Sequence, residues 1–296
     1  MIQEYPTRTI LNKPSHKPDD WFGIEYIANI YRGCSHACIY CESRSNCYGH
    51  KDFDTVQYKP NSDILMSKSL RSKRAAGIIG LGTLADTYNP YEEELGATRK
   101  VLKVIGNCRF GVDVCTKSPL ITRDIDVLEE ISWANSATAK LTITTADDSL
   151  AAMIEPHAPP SSARFAALKE LSSAGVFNGI MLTPMLPFVT DTAENVEAIV
   201  EQAHECGVNF IYTRFGLSIR DGQSIHYMKH VRKIDRAIPQ LMRDTYGVSF
   251  FCYSKQIEQL RALFRDICDK AGIIYEMKDI LKVIRANQQQ EQASLF

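Results

Sequence analysis

The sequence predicts an α/β fold, a partial (β/α)6 TIM-like barrel followed by a helical extension at the carboxyl end. The first observation is that apolar, β-rich stretches alternate with helical patterns six times between residues 23 and 213. Such alternation is typical of parallel strands joined by right-handed crossovers. The second is that unusual polar residues follow the strands, at the end where barrels and open parallel sheets carry their reactive groups.

Strands and helices are predicted in the following order. The strands are expected at residues 24–31, 77–81, 110–116, 139–145, 177–183 and 208–213. The helices between them are expected at residues 61–74, 92–105, 123–135, 162–174 and 192–206. Gly175 and Gly207 follow the last two helices, where glycine adopts the left-handed conformation that ends a helix.

After Thr213 the alternation stops, and three further helices are predicted at residues 224–246, 254–270 and 277–286. No linker rich in Gly, Ser or Pro precedes them, so we expect them to pack on the barrel rather than form a domain of their own. The expected organisation is an amino-terminal extension (1–22), the barrel core (23–215), the packed helices (216–286) and a disordered polar tail (287–296).

Length and composition fit one large α/β domain or two small ones. The chain has 296 residues, of which 45% are hydrophobic, 34 basic and 35 acidic, so charge favours no particular partner. Its nine cysteines are too scattered for a disulfide framework, and a reducing cytoplasm is the expected setting. The first residues do not resemble a signal peptide, and the longest apolar runs are too short to cross a bilayer.

The first of the three carboxyl-terminal helices is expected to be strongly basic. Its cationic side chains are Lys229, His230, Arg232, Lys233, Arg236 and Arg243. Two interpretations stand: a solvated helix face and a nucleic-acid groove. The solvated face is favoured because the formal net charge of the chain is only −1.

Three cysteines follow the first predicted strand at CxxxCxxC spacing. Thiolates at Cys34, Cys38 and Cys41 would hold three corners of a 4Fe–4S cluster and leave the fourth iron open to an outside ligand. The alternative is a structural zinc site, which needs a fourth ligand such as Cys47 or His50. The cluster is favoured because it needs no fourth protein ligand.

With the aromatic Tyr40 directly before the third cysteine, this motif resembles the signature of the radical S-adenosylmethionine (radical SAM) superfamily. The strings at residues 82–92, 116–124, 154–164 and 184–187 further resemble the spore photolyase-like branch. True spore photolyases carry a hydrogen-donating cysteine in the turn after the second strand, and residues 82–86 contain none. The resemblance therefore implies a relative of that branch and not a spore photolyase itself.

The resemblance implies two cofactors, a 4Fe–4S cluster on the three cysteines and S-adenosylmethionine on its open iron. Tyr40 would lie against the adenine, Gly82 and Thr83 would contact the methionine ammonium, and Lys117 and Thr144 would bind the carboxylate or ribose. Asp86 and Arg164 are further candidates for cofactor binding. An alternative for Asp86, Glu92, Glu155 and Arg164 is that they form buried ion pairs or helix-start contacts that hold loops in place.

The implied activity is reductive cleavage of S-adenosylmethionine to a 5′-deoxyadenosyl radical, fed by an electron donor of flavodoxin or ferredoxin type. By analogy with the branch, the expected substrate is a nucleic-acid component, as in DNA repair. Two other classes stand beside this one. They are a non-catalytic iron–sulfur or clamp-associated module, and a zinc-dependent barrel hydrolase.

The carboxyl terminus resembles the short peptide with which many bacterial replication and repair proteins bind the DNA sliding clamp. Leu295 and Phe296 would fill an apolar pocket, and Gln292 would form a hydrogen bond at its rim. The alternative is that the two apolar residues fold back on the body of the protein. Removing residues 292–296 and measuring binding to purified clamp distinguishes the two.

Overall fold

A seven-stranded, mostly parallel sheet forms the centre of the protein. The computed structural model describes residues 2–49 and 52–294. Its strands are β1 (Gln3–Glu4), β2 (Leu11–Asn12), β3 (Ile24–Ala28), β4 (Tyr31–Arg32), β5 (Gln57–Tyr58), β6 (Ile78–Leu81), β7 (Gly111–Thr116), β8 (Ala137–Thr142), β9 (Phe177–Leu182), β10 (Phe210–Thr213), β11 (Gly216–Ser218) and β12 (Phe251–Tyr253). The order in the central sheet is β10-β9-β8-β7-β6-β3-β2, with β2 antiparallel at one edge and every other pair parallel. The predicted α/β class is confirmed.

The helices connect these strands and continue after them. They are α1 (Ser62–Arg71), α2 (Glu92–Leu95), α3 (Ala97–Asn107), α4 (Ile125–Ala134), α5 (Asp148–Ile154), α6 (Ser161–Ser173), α7 (Ala193–Glu205), α8 (Gln223–Val231), α9 (Ile238–Tyr246), α10 (Ile257–Ala271) and α11 (Met277–Ser294). On α3, Val101, Leu102 and Ile105 are fully buried, and this spacing places one apolar stripe against the sheet. None of the described helices has the length and apolar character that a membrane crossing requires.

The sheet is curved, so that its first and last parallel strands approach each other. Phe22, directly before β3, has its ring 5.7 Å from that of Phe210 on β10, and the Trp21 and Tyr212 rings lie 5.1 Å apart. An apolar cluster fills this end of the interior, and four of its residues are the first of their strands: Ile24, Ile78, Phe177 and Phe210. This end therefore holds the amino ends of the strands.

A charged pair is buried in the same interior. The Nζ of Lys140 on β8 lies 2.6 Å from a carboxylate oxygen of Asp113 on β7, and both side chains are 2% exposed. The ammonium also lies 3.6 Å from the centre of the Phe22 ring. A buried charge needs such a partner, because desolvation otherwise costs several kcal/mol.

Several element boundaries differ from the sequence expectation. The single helix expected at 92–105 is two helices, because Gly96 between them has φ +57°. The basic helix expected at 224–246 is also two, and Pro239 in the first turn of α9 lacks the N–H that a continuous helix would need. Helix α5 and the β11–β12 pair were not predicted.

The carboxyl-terminal helix is longer than expected. Helix α11 continues to Ser294, past the predicted end of the last helix at residue 286. The disordered tail from residue 287 stays a prediction. Gln292 is described only as part of this helix, and Leu295 and Phe296 lie outside the described residues. The clamp-binding hypothesis stays a prediction.

The segments after β10 pack directly on the central sheet. The N–H of Ile211 donates to the carbonyl of Ile274 at 2.9 Å, and the N–H of Ile274 donates to the carbonyl of Asn209 at 3.0 Å. Helix α10 packs on α7, and Ile280 and Ile284 of α11 enter the interior cluster at the amino ends of the strands. These segments therefore pack against the curved sheet.

Candidate functional site

The cysteine loop leaves the carboxyl end of β3 and is fixed by hydrogen bonds on two sides. The N–H of Cys34 donates to the carbonyl of Phe53 at 2.8 Å, and the N–H of Ile39 donates to that of Ile154 at 2.9 Å. Gly33 begins the loop with φ +75°, and a Cβ there would lie 2.3 Å from the Thr55 carbonyl oxygen. Only glycine fits this position.

The three thiols of the loop suit iron–sulfur ligation. Cys34, Cys38 and Cys41 are all free, with Cys38 buried and the other two partly exposed. Burial raises the pKa of the Cys34 thiol to about 11, so the thiolate form needs a nearby cation and metal binding releases protons. Among residues 2–49 and 52–294, no group of three or more His, Cys, Asp or Glu side chains is arranged to hold a single metal ion. His50, an alternative zinc ligand, lies outside the described residues.

Tyr40 is tied to a buried carboxylate. Its hydroxyl donates to Glu155, which also forms an ion pair with Arg164, and Glu155 and Arg164 are each 1% exposed. Burial and the neighbouring carboxylate raise the pKa of Tyr40 well above its usual value, so the phenol keeps its proton. Burial disfavours the charge on Glu155, but Lys117 and Arg164 outweigh burial and hold the pKa of this carboxyl below its usual value.

Arg164 is occupied by the protein. Beside the Glu155 pair, its guanidinium donates to the carbonyls of Pro159 and Thr142. These bonds link α6 to the end of β8 and to the loop before α6. The alternative of a buried ion pair that holds loops in place describes these contacts of Arg164 and Glu155, and the role of Arg164 in cofactor binding stays a prediction.

Lys117 carries an ammonium group that is suited to bind an anion. Its Nζ lies 5.6 Å from the centre of the Tyr40 ring, at the end of β7, and makes no hydrogen bond or ion pair with the described residues. Burial alone would lower the pKa of Lys117, but a Cys38 thiolate and Glu155 raise it above its usual value. The ammonium stays charged, as the binding of a carboxylate requires.

Asp86 connects three segments around the loop. Its carboxylate accepts from the Tyr88 N–H at 2.8 Å, the Thr116 hydroxyl at 2.6 Å and the Lys117 N–H at 2.9 Å. The Nδ1 of His36, between the first two cysteines, lies 3.4 Å from the same carboxylate. These contacts position the cysteine loop and the end of β7, and the role of Asp86 in cofactor binding stays a prediction.

Gly82 and Thr83 form the turn after β6. Gly82 has φ +81°, and a Cβ there would lie 2.0 Å from the carbonyl oxygen of Cys115. The exposed hydroxyl of Thr83 donates to the amide oxygen of Asn29 at 3.1 Å, and the Leu84 N–H donates to the same oxygen. Asn29, which the sequence did not single out, thus joins this turn to the start of the cysteine loop.

Thr144 lies at the end of β8 and is 1% exposed. Its hydroxyl donates to Glu155 at 3.3 Å, which places it in the network of Tyr40. Asn195 on α7 donates to the Thr144 carbonyl at 3.0 Å and to the Thr190 carbonyl at 3.0 Å. Tyr40, Lys117, Thr144 and Arg164 therefore meet around one carboxylate, as residues from four separate parts of the sequence.

Glu92 belongs to a second network, away from the cysteine thiols. It accepts from Arg123 at 2.7 Å and from the Tyr31 hydroxyl at 2.5 Å, and it is fully buried. Arg123 also pairs with Asp124, which the Tyr88 hydroxyl contacts at 2.9 Å. This network fixes the loops after β6 and β7, as the structural alternative expected.

A cavity of about 610 Å³ opens beside the cysteine loop. Tyr40 and Cys41 line one side and Thr83 another. Residues that the sequence did not single out, including Arg214 and Tyr253, complete the wall. The cavity brings the third cysteine and the turn after β6 to one space, large enough for a small-molecule ligand.

The segment after β10 supports the loop from behind, which the sequence did not predict. Gln223, fully buried, donates to the Tyr40 carbonyl at 2.7 Å and to the Ser218 carbonyl at 3.0 Å. Glu42 accepts from the Ser218 hydroxyl at 2.8 Å and pairs with Arg220. No local pattern signals the contacts of this segment with Tyr40 and Glu42, since they join residues more than 170 positions apart.

Comparison with known proteins identifies relatives over most of the chain. The family model of the radical SAM superfamily matches residues 28–203. An uncharacterised protein of Methanocaldococcus jannaschii is 31% identical over 212 residues, which are 70% of this chain and 76% of that protein. An uncharacterised protein of Acidianus two-tailed virus is 27% identical over 266 residues, 80% of this chain and 85% of that protein.

Solved structures share the fold. A spore photoproduct lyase variant superposes with a TM-score of 0.69 at 15% identity, over 93% of this chain and 81% of that one. Another, with bound AdoMet and dinucleoside spore photoproduct, gives a TM-score of 0.63 at 15% identity, over 90% and 78%. At this identity the likeness is one of fold alone.

The family match also decides between the metal sites that the three cysteines left open, because it covers the whole cysteine loop and the strands that follow it. Three free thiols on one loop, with a cavity beside the third, suit a cluster that keeps one iron for an outside ligand. The chain belongs to the radical SAM superfamily, and its cofactors are a 4Fe–4S cluster and S-adenosylmethionine.

Proposed function

We propose that this protein is a radical SAM enzyme that acts on a nucleic-acid component, in a role related to DNA repair. The observation that carries the proposal is the loop of three free cysteines beside a cavity of about 610 Å³. The fold likeness to a lyase with a bound dinucleoside supports a nucleic-acid substrate. We also interpret the curved sheet as a partial (β/α)6 barrel, closed by the helices of residues 216–286.

When bound, the reduced cluster supplies one electron that splits S-adenosylmethionine into methionine and a 5′-deoxyadenosyl radical, which abstracts hydrogen from the substrate. The chain's own residues bind and orient the reactants. We assign Lys117 to the methionine carboxylate, because its charged ammonium lies near the Tyr40 ring and forms no hydrogen bond or ion pair with the described residues. Gly82 and Thr83 are assigned to the ammonium, since the turn after β6 reaches the cavity at Thr83.

Tyr40 and Thr144 complete the proposed binding site. Tyr40 borders the cavity with its hydroxyl tied to Glu155, so its ring is held at a fixed angle for contact with the adenine. Thr144 shares that carboxylate and is assigned to the ribose or carboxylate side. Asp86 and Arg164 are assigned as positioning residues, because protein groups occupy their polar atoms.

The test is anaerobic reconstitution with iron and sulfide, followed by measurement of iron content, of the electron paramagnetic resonance spectrum after reduction, and of 5′-deoxyadenosine. We expect close to one cluster per chain and release of 5′-deoxyadenosine under a strong reductant. Cys38→Ala should lose the cluster, whereas Cys47→Ala, at an exposed cysteine of the same loop region, should keep it. A protein that holds the iron–sulfur cluster but releases no 5′-deoxyadenosine would instead favour the non-catalytic module.

Two partners belong to the proposal. One is a low-potential electron donor of flavodoxin or ferredoxin type, which would reduce the cluster. The other is the DNA sliding clamp, approached through Gln292, Leu295 and Phe296. For the clamp, loss of binding on removal of residues 292–296 is the expected result, and undiminished binding would refute the assignment.

A further inference from the structure

We propose that the cavity beside Cys41 and a second cavity next to it form one groove for a single strand of nucleic acid. In this groove Arg214 binds a backbone phosphate, and Phe251 and Tyr253 stack against the bases on either side of it. The inference rests on the proposed function, because it specifies how a nucleic-acid substrate would be held.

The two cavities meet at a common wall. The second has a volume of about 390 Å³, and Arg214, Phe251 and Tyr253 line both. One side of this wall faces the cavity that contains Cys41 and Tyr40, and the other side faces Arg261. A ligand that occupied both cavities would extend past its reacting group by at least one further unit. A strand of nucleotides is a ligand of this kind.

The wall presents two aromatic rings to the outside. Phe251 is 43% and Tyr253 48% exposed, whereas Cys252 between them is 2% exposed. The alternation along β12 puts both rings on one face, with centres 6.0 Å apart and planes only 17° from parallel. Exposed aromatic rings are the stacking platform of many proteins that bind single-stranded nucleic acid, because every base has a flat face.

Arg214 supplies a charge at the same wall. Its Nε donates to the Tyr212 hydroxyl at 3.0 Å, and its guanidinium lies 5.4 Å from the centre of the Trp21 ring. No carboxylate pairs with it in the part of the chain that the structure describes, so its terminal nitrogens are available to a phosphate. Arg261 and Arg265 also line the second cavity, but each pairs with a glutamate, and Asp20, Glu42 and Glu276 line the two cavities as well. Arg214 is therefore the cation that the proposal uses.

The exposed cations of α8 and the following turn offer a competing surface. Lys229, Arg232, Lys233 and Arg236 are exposed and have no ion-pair partner among the described residues. None of them lines a cavity described above. Arg236 is therefore a matched control for Arg214, with the same charge and similar exposure at a different place.

The experiment uses the full chain with its cluster reconstituted and measures fluorescence anisotropy with a labelled single-stranded DNA and an RNA of the same sequence. The double variant Phe251→Ala/Tyr253→Ala should bind the preferred strand about tenfold more weakly or worse. Arg214→Gln should reduce the slope of log affinity against log salt by about 0.7, the value for one phosphate contact on a single strand. Arg236→Gln should change neither. Should the alanine variant not fold, Phe251→Leu/Tyr253→Leu replaces it.

Equal affinity of the aromatic double variant and the unmodified chain would overturn the groove, as would an unchanged salt slope for Arg214→Gln. If Arg236→Gln weakened binding and Arg214→Gln did not, the strand would lie against the exposed cations of α8 and the following turn. That result would also overturn the groove. If the chain makes 5′-deoxyadenosine but binds neither DNA nor RNA, the nucleic-acid substrate itself is wrong. If nucleic acid binds and the wall variants change nothing, only the groove is wrong.

Discussion

Single residues around the cysteine loop serve several segments at once. Asp86 contacts the loop through His36, its own turn through Tyr88 and the end of β7 through Thr116. Glu155 likewise joins the loop to α6 and to the end of β8. A substitution at Asp86 or Glu155 would displace more than one wall of the site. We therefore expect the effect of such a substitution on activity to be indirect.

Gly82 is the residue whose replacement should be most costly for its size. An alanine there must keep φ near +81° and place its Cβ 2.0 Å from a backbone oxygen of Cys115. We expect Gly82→Ala to lose about 3 kcal/mol or more of unfolding free energy, measured by urea denaturation. Gly96→Ala is the control, since Gly96 has φ +57° but no atom within 4 Å of its Cβ position. Its loss should be about 1 kcal/mol, and equal losses would refute the steric argument.

His226 on α8 should give stability a specific pH dependence. Burial, assisted by Arg44 and by the His230 ring that stacks on it at 4.1 Å, lowers the pKa of His226 to about 4. The pKa of His226 in the unfolded chain is about 6.5. The contribution of the neutral imidazole to the free energy of unfolding is therefore fully present above that pH. This contribution is lost as the pH falls from about 6.5 toward 4.

The corresponding measurement is the free energy of unfolding near pH 7 and near pH 4. His226 is partly exposed, so we allow for solvent screening and expect the unmodified chain to lose about 1 kcal/mol more than His226→Gln. The exposed His204→Gln serves as control and should follow the unmodified chain. Parallel pH profiles for all three proteins would contradict the expected effect.

Among the elements, the segment from β11 into α8 acts as a support for the cysteine loop. The Gln223 side chain makes three hydrogen bonds there, two as donor and one as acceptor from the Arg220 N–H at 2.9 Å. Gln223→Ala leaves these groups unpaired in a buried place, so we expect a loss of about 2–4 kcal/mol and less iron retained after reconstitution. Gln240→Ala, on the exposed face of α9, should retain iron as the unmodified chain does. Equal iron content in both variants would show that the loop does not depend on this support.

The alternation of elements was predictable because local chemistry determines it. Strands β7 and β9, for example, are buried along their whole length or nearly so, and a mainly apolar run signals such strands. Strands β11 and β12 are three residues each and pair across 32 intervening positions. Neither strand is long enough to show a recognisable pattern in the sequence, so the wall that carries Phe251 and Tyr253 could not be predicted.

At the scale of the whole molecule, the sequence singled out three candidate ligands of the cluster but did not predict the shape of the site. Cys34, Cys38 and Cys41 stand out because they lie within one loop. The cavity depends on contacts between distant segments, such as those that bring Arg214 and Tyr253 to Cys41. Such contacts follow from the curvature of the sheet, which no local pattern determines.

The carboxyl-terminal helix should behave as part of the core rather than as an appendage. Ile284 of α11 is 1% exposed and packs with Phe22 and Phe210 inside the curved sheet. Truncation of a buried isoleucine costs about 2–5 kcal/mol, so Ile284→Ala should lower the unfolding midpoint in urea while the transition stays single. Ile225→Ala is the matched control, because Ile225 is 75% exposed and should lose less than about 0.5 kcal/mol. A separate early transition in Ile284→Ala, with the main one unmoved, would show instead that the helix unfolds independently of the sheet.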